Sequence, residues 1–498
     1  MFKKTQVGSF LKDNPVFPFL LCLFFVLHGF IANFRSVTVV DASLLFLLYS
    51  ASTSIITAVT WLLYRNIEKA CLLTFFIMAY QFFFGKILDV LKSNSPILFL
   101  SQYRFVLPVS FFLFLVFIFW LKKRKKPLVK FTLYLNFLFL LFIIIDISWL
   151  AAKITMPAKS KLLHPSTVNL RLCDTCSKPD IYLVVADQYA SNIALKEVFN
   201  FDNSDFTAAL DRRGFHTIKN SNSNYNLTPF SIASLLNMDY LAAGMGVKKK
   251  LNVGYSYELI RNSSVIEYLI TSGYTFYNCS IFDFPGHPAH KYLSFLPYGT
   301  KLITAQTFTD RLASDIRSGI KEGKIGSIAA QEKMIYENLY FNDSIFILTR
   351  KISGLKNATP KFVYSHLMLP HHPYYYNSKG ESLSLDKLQH FKNTDADDYI
   401  EYLQYGNKKL LALIDEIIAN ASRPPVIMLL SDHGFRHPQR NIDRKYDFMN
   451  LNAILLPGKE YEPFNDNLSM VNQFRVFFNS CFDQRLPMLK DSTIDLWD

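Results

Sequence analysis

The first 154 residues hold five stretches long and apolar enough to cross a bilayer, and no other feature of the chain limits its fold so strongly. A helix needs roughly 20 apolar residues to span a hydrocarbon core of about 30 Å. Such stretches run over 16–34, 42–64, 70–88, 105–121 and 131–152, the third with Lys86 inside it. Further spans follow the first closely and no small-residue cleavage site separates them, so the first reads as a retained span and not as a signal peptide.

Charge follows the same division. The formal charge is +13, but residues 1–154 contribute 16 Lys and Arg against 5 Asp and Glu, and the remaining 344 residues are nearly balanced at 37 against 35. A basic excess confined to apolar sequence belongs to membrane loops, which excludes a nucleic-acid groove as its cause. With the N-terminus inside, the cytoplasmic segments carry eleven cations: Lys3, Lys4, Lys12, Arg65, Lys69 and the run from Lys122 to Lys130. The outside loops carry four, Arg35, Lys86, Lys92 and Arg104. This bias predicts a cytoplasmic N-terminus in an inner or plasma membrane and, after five crossings, a periplasmic or extracellular domain. Asp146, inside the last span, reads as a helix-pairing or snorkelling carboxylate rather than part of an ion path, because no repeated intramembrane charges accompany it.

Half of the residues are hydrophobic and 19% charged, which excludes disorder. Six cysteines are too few for a disulfide scaffold, and only Cys173 and Cys176 fall into a recognisable spacing. No second pair follows to complete a zinc site, so a local disulfide or two inert thiols are the readings, and an oxidising compartment favours the disulfide.

Beyond a linker over 155–179, the pattern changes to short apolar runs at 181–186, 274–278, 362–365, 426–430 and 452–456, which read as buried strands. Helical patterns lie between them at 205–213, 229–236, 265–272 and 398–421. Alternation of this kind predicts an α/β domain over 180–498 with a mostly parallel central sheet, helices on both faces and a ligand site beyond the carboxyl ends of the strands.

That rule selects particular residues. The first strand runs into Asp187, the strand at 362–365 into His366 and then His371 and His372, and the strand at 426–430 into Ser431, Asp432, His433 and Gly434. Each has an ordinary structural reading, Asp187 as a turn residue and His366 as the close of a strand. Together they offer hard oxygen and borderline nitrogen ligands for a divalent metal, Zn²⁺ or Mn²⁺, with Asp432-His433 the most specific element. Of the adjacent His371 and His372, at least one is expected to be structural or substrate-facing. Thr228 precedes Pro229 at the start of an apolar helix, where it can serve as N-cap. A hydroxyl at that position also faces unpaired N–H groups that favour bound phosphate, so Thr228 is equally a candidate nucleophile.

These motifs, VVADQY around Asp187, NLTPFSIAS around Thr228, SHLMLPHHPY and LLSDHG, resemble those of the alkaline phosphatase/sulfatase superfamily. Within it, the layout of five spans followed by an outward α/β domain is similar to that of lipoteichoic acid synthases and lipid A phosphoethanolamine transferases. The resemblance implies an alkaline-phosphatase-like domain in which Asp187, Thr228, Asp432 and His433 bind the catalytic metal, Thr228 is the nucleophile, and His366 and His371 serve near the substrate or a second metal. Asp187 stands where the named transferases carry Glu. Phe435-Arg436-His437-Pro438 replaces their acidic run, leaving His437 as the substitute for a second-metal ligand. The sulfatase signature C/S-x-P-x-R is absent around Thr228, which argues against sulfate ester hydrolysis.

The expected function is therefore metal-dependent transfer of a phospholipid head group, phosphoethanolamine or phosphoglycerol, to an extracytoplasmic glycan or lipid acceptor through a phosphothreonine. The alternatives are a hydrolase of the same family, acting on a phosphodiester or a sulfuric ester, and a membrane scaffold with a silent site.

Overall fold

The computed structural model describes residues 6–34, 37–93, 95–155, 170–241, 253–289, 300–321, 326–389, 396–436 and 442–496. The chain forms two compact units: Met1–Ala158 with Leu293–Ser318, and Lys159–Tyr292 with Gly319–Asp498.

The first unit is helical: α1 Gln6–Asp13, α2 Phe17–Ala32, α3 Val39–Tyr64, α4 Ile67–Ser93, α5 Tyr103–Lys123 and α6 Val129–Thr155. Four of these, α3 to α6, are long and apolar enough to cross a membrane. The first expected span corresponds to α2, whose 16 residues rise only about 24 Å. It is nevertheless central, with Phe17, Leu21, Cys22, Val26 and Phe30 buried against the other helices.

Lipid supplies no hydrophobic drive between helices, so close packing and polar contacts hold such a unit together. Asn136 of α6 donates to the carbonyls of Leu11 and Asn14, each at 2.7 Å. Near the other end of α6, Lys153 Nζ donates to Ile31 O at 2.5 Å and Asp146 pairs with His28 at 3.1 Å, so Asp146 is a helix-pairing carboxylate.

A stretch distant in sequence completes this unit. Ile303 is buried against α2, where a Cβ at Gly29 would lie 2.6 Å from its Cγ2. Gly85 N–H of α4 donates to Gln306 O at 2.8 Å, and a Cβ at Gly85 would lie 2.7 Å from that oxygen. The helix Phe308–Lys321 then runs past α4 and α5, with Arg311 paired to Asp89 at 2.9 Å and the Tyr103 hydroxyl donating to Asp315 at 2.6 Å.

The second unit is built on β1 Ile181–Ala186, β2 His216–Thr217, β3 Thr275–Cys279, β4 Lys361–Leu367, β5 Val426–Leu430 and β6 Asn452–Leu455, in the order β2-β6-β5-β1-β4-β3. The sheet is mixed, where the sequence led us to expect a mostly parallel one. β3, β4, β1 and β5 pair in parallel, while β6 runs antiparallel to both β5 and β2. A parallel return needs a crossover of a dozen or more residues, usually a helix. Among the described residues between β5 and β6 there is only the 3₁₀ turn Arg444–Asp447, so the chain comes back antiparallel.

Side chains of β1 alternate between two cores, Ile181, Leu183 and Val185 on one face and Tyr182, Val184 and Ala186 on the other. Helices Thr228–Asn237, Ser264–Thr271 and Met470–Cys481 cover the first face. Helices Asn192–Phe199, Ser204–Arg212, Glu337–Ser353 and Ala396–Asn420 cover the second. At the amino edge of the sheet, buried Lys361 pairs with Asp180 at 3.6 Å and donates to the carbonyls of Ile352, Ser353 and Leu355.

Candidate metal centre

Strand register brings the acidic residues together. Val185 of β1 is level with His366 of β4 on one side and Leu430 of β5 on the other. Two residues further, Asp187 and Asp432 stand side by side at the strand tips. Asp187 N–H prolongs the ladder by donating to Leu367 O at 2.9 Å. Ligand atoms of Asp187, His366 and Asp432 converge within 4.8 Å of one another, and all three residues are buried.

The surroundings fix each group. Asp432 Oδ1 accepts from Gln188 N–H at 3.0 Å, and its backbone carbonyl accepts from the Ser231 hydroxyl. Gln188 takes a left-handed turn (φ 63°), held by Tyr399 OH donating to its carbonyl at 2.9 Å and by Tyr189 N–H donating to Ser431 Oγ at 2.8 Å. His366 Nε2 lies 3.3 Å from Asp187 Oδ2, and its Nδ1 is 2.9 Å from the Tyr364 hydroxyl. His433 Nδ1 meets Gly434 O at 2.7 Å, which leaves Nε2 facing Asp432 Oδ2 at 3.3 Å and Thr228 Oγ1 at 3.4 Å. Gly434 is required by space: a Cβ there would lie 2.2 Å from Tyr446 O and 2.7 Å from Met449 O.

Two buried carboxylate oxygens, Asp187 Oδ1 and Asp432 Oδ2, accept no hydrogen bond. An unpaired buried anion is costly unless a cation meets it, so this donor set fits a divalent metal. Electrostatics agree. Burial raises the Asp187 carboxyl, but the nearby His371, His366 and His433 outweigh it and hold the group below the usual carboxylate range. Burial, reinforced by Arg436, holds the His433 imidazole below its ordinary value despite Asp432.

Thr228 does not cap its helix. Leu227 is the N-cap, Thr228 is the first helical residue and Pro229 follows within the first turn, so the hydroxyl is free of a capping bond. The preceding Asn residues are held from the far end of the chain: Asn224 donates to Ser492 O at 3.0 Å and Asn226 to Asp495 at 2.7 Å. His371 and His372 stack at 4.2 Å between two cis prolyl bonds, with His371 Nδ1 at 2.6 Å from His372 O. Burial, with His371 and Arg436 beside it, pushes His372 down to about 3. His437 lies outside the described residues.

The structure thus gathers Asp187, His366, Asp432, His433 and Thr228 in one place, with one nitrogen of His366 within 4.8 Å of carboxylate oxygens of Asp187 and Asp432. Sequence reasoning singled out neither Tyr364 nor Gln188 and gave no role to Ser231 or Ser431. Tyr364 was findable, because it lies two residues before His366 on the same strand face; the others act through backbone contacts that no spacing announces.

No protein-family model and no curated protein matches the chain. Among solved structures, it is similar to the C-terminal periplasmic domain of EptC from Escherichia coli in complex with Zn (TM-score 0.38, 12% identity, 63% of this chain and 86% of that one). It is also similar to the corresponding domain of the phosphoethanolamine transferase EptC from Campylobacter jejuni (TM-score 0.37, 13% identity, 63% and 92%). A third similar structure is BT1596, a 2-O GAG sulfatase (TM-score 0.40, 11% identity, 64% and 73%). The similar structures thus include the periplasmic domain of a phosphoethanolamine transferase and a sulfatase.

Proposed function

We propose that the chain is a metal-dependent membrane phosphotransferase, which moves a phosphorylated head group from a phospholipid to an extracytoplasmic glycan or lipid acceptor through a phosphothreonine. The observation that carries this reading is the uncapped Thr228 hydroxyl, 3.4 Å from His433 Nε2, which itself lies 3.3 Å from the buried Asp432 Oδ2. Asp187, Asp432, His433 and Thr228 would hold the metal, with His366 Nε2 near enough to join them. A divalent cation there supplies Lewis-acid charge to the phosphoryl oxygens and favours the alkoxide.

The residues divide the remaining work. Thr228 Oγ1 passes its proton to water as it bonds to phosphorus, and the bond from phosphorus to the diacylglycerol oxygen breaks. His371 gives that oxygen a proton, a role suited to an imidazole near neutral pH. An acceptor hydroxyl then attacks the phosphothreonine, giving its proton back to His371, and Thr228 recovers its own.

The five-span reading is supported by α2 and α6. Through Asn136, α6 meets Leu11 of α1 and Asn14 just before α2, and through Lys153 it meets Ile31 near the end of α2, 17 residues apart along α6 or about 25 Å. The Cys173–Cys176 disulfide supports an oxidising compartment for the domain at 180–498.

Mass spectrometry of the Thr228 peptide tests the proposal, using full-length protein incubated with mixed phospholipids and Zn²⁺ or Mn²⁺. An adduct of phosphoethanolamine or phosphoglycerol mass is expected. Release of free head group with no adduct would favour the hydrolase, and neither product would favour the silent scaffold.

A further inference from the structure

Facing sides of α4 and α5 enclose an elongated apolar groove of about 460 Å³. On α4 it runs from Phe76 to Leu91 and on α5 from Phe105 to Phe117. At 1.5 Å per residue these walls are about 22 and 18 Å long, against roughly 15 Å for half of a hydrocarbon core. Spread over a length of about 20 Å, the full empty space of about 1030 Å³ leaves a mean section near 50 Å², whereas a helix about 10 Å across needs roughly 80 Å². That section admits a polymethylene chain and excludes a helix.

One end of the groove is flanked by cations: Lys92 follows Leu91, and the exposed Arg104, which donates to Gln102 Oε1 at 2.7 Å, lies 5.1 Å over the ring of Phe105. These are two of the four cations on the side predicted to carry few. A guanidinium fork at the membrane surface is suited to a phosphate.

We propose that this groove is a phospholipid site: one acyl chain lies between α4 and α5 and the phosphate of the same lipid meets Arg104 and Lys92. Val109 and Leu113, both half-exposed, form the wall against which the chain packs. The site does not rest on the chemistry assigned to Thr228.

The test uses full-length protein in nanodiscs with a phosphatidylethanolamine carrying a diazirine near the end of one acyl chain, and peptide mapping of the crosslinks. Crosslinks are expected to concentrate at least fivefold around Phe76–Tyr80 and Leu113–Phe117 over the exposed apolar residues of α3 and α6. The variant Leu113→Trp, which fills the groove, should remove that excess and leave the α3 and α6 crosslinks as they were. Even labelling in wild type, which needs no variant to fold, would overturn the site. A diazirine fatty acid separates the two halves of the proposal. If it labels the groove as well as the phospholipid does, and Arg104→Ala with Lys92→Ala changes neither, the head-group contact is wrong.

Discussion

Thr228 Oγ1 and His433 Nε2 lie 3.4 Å apart, and the imidazole is turned toward the hydroxyl because its other nitrogen is tied to Gly434 O at 2.7 Å. The substitution Thr228→Ala should lower transfer by on the order of 10³-fold or more while leaving metal bound, since loss of a nucleophile removes the covalent route. Thr228→Ser should retain part of the activity. Turnover and metal content, measured on the same preparations, check both.

Removing the metal should destabilise the second unit, because Asp187 and Asp432 then share a buried site with unpaired oxygens. A ligand that binds only the folded state adds about 2.7 kcal/mol at a hundredfold excess over Kd. Thermal unfolding should therefore shift upward by several degrees on adding Zn²⁺ or Mn²⁺ to chelator-treated protein. Asp432→Asn should abolish the shift.

Gly434→Ala should be among the most damaging small changes, because backbone oxygens of Tyr446 and Met449 occupy the space of the added carbon. Overpacking of this kind costs about 1–3 kcal/mol and more where backbone must move. Since His433 and Asp432 precede it directly, metal affinity should fall together with the unfolding temperature, by metal analysis and calorimetry.

Lys361→Ala should act on stability alone. Its ammonium pairs with Asp180 and holds three carbonyls at the edge of the sheet away from Asp187. Breaking one side of a buried pair costs about 3–5 kcal/mol. Folded protein recovered at low temperature should bind metal as wild type does.

The strand tips were legible because apolar runs of five or six residues ending in Asp, His or Ser-Asp-His mark where buried strands meet solvent chemistry. β1 and β5 occupy 181–186 and 426–430, as expected. The reversal of β6 was not legible, since it depends on a connection whose described residues hold only a 3₁₀ turn and whose sequence has no periodicity. Thr228 looked like an N-cap because hydroxyl-Pro is a common helix start, yet the helix begins one residue earlier than that pattern implies. The attachment of Ile303 and Gln306 to α2 and α4 was invisible as well, for it depends on two glycines, Gly29 and Gly85, whose use as docking points requires a partner more than 200 residues away.

That attachment sets an order of assembly. The helices through Thr155 are synthesised some 145 residues before Thr300. At roughly 5–20 residues per second, translation leaves the slots at Gly29 and Gly85 vacant for on the order of ten seconds. The bundle is therefore finished from downstream, and a nascent chain arrested before residue 300 would present an incomplete helical unit to the insertion and quality-control machinery.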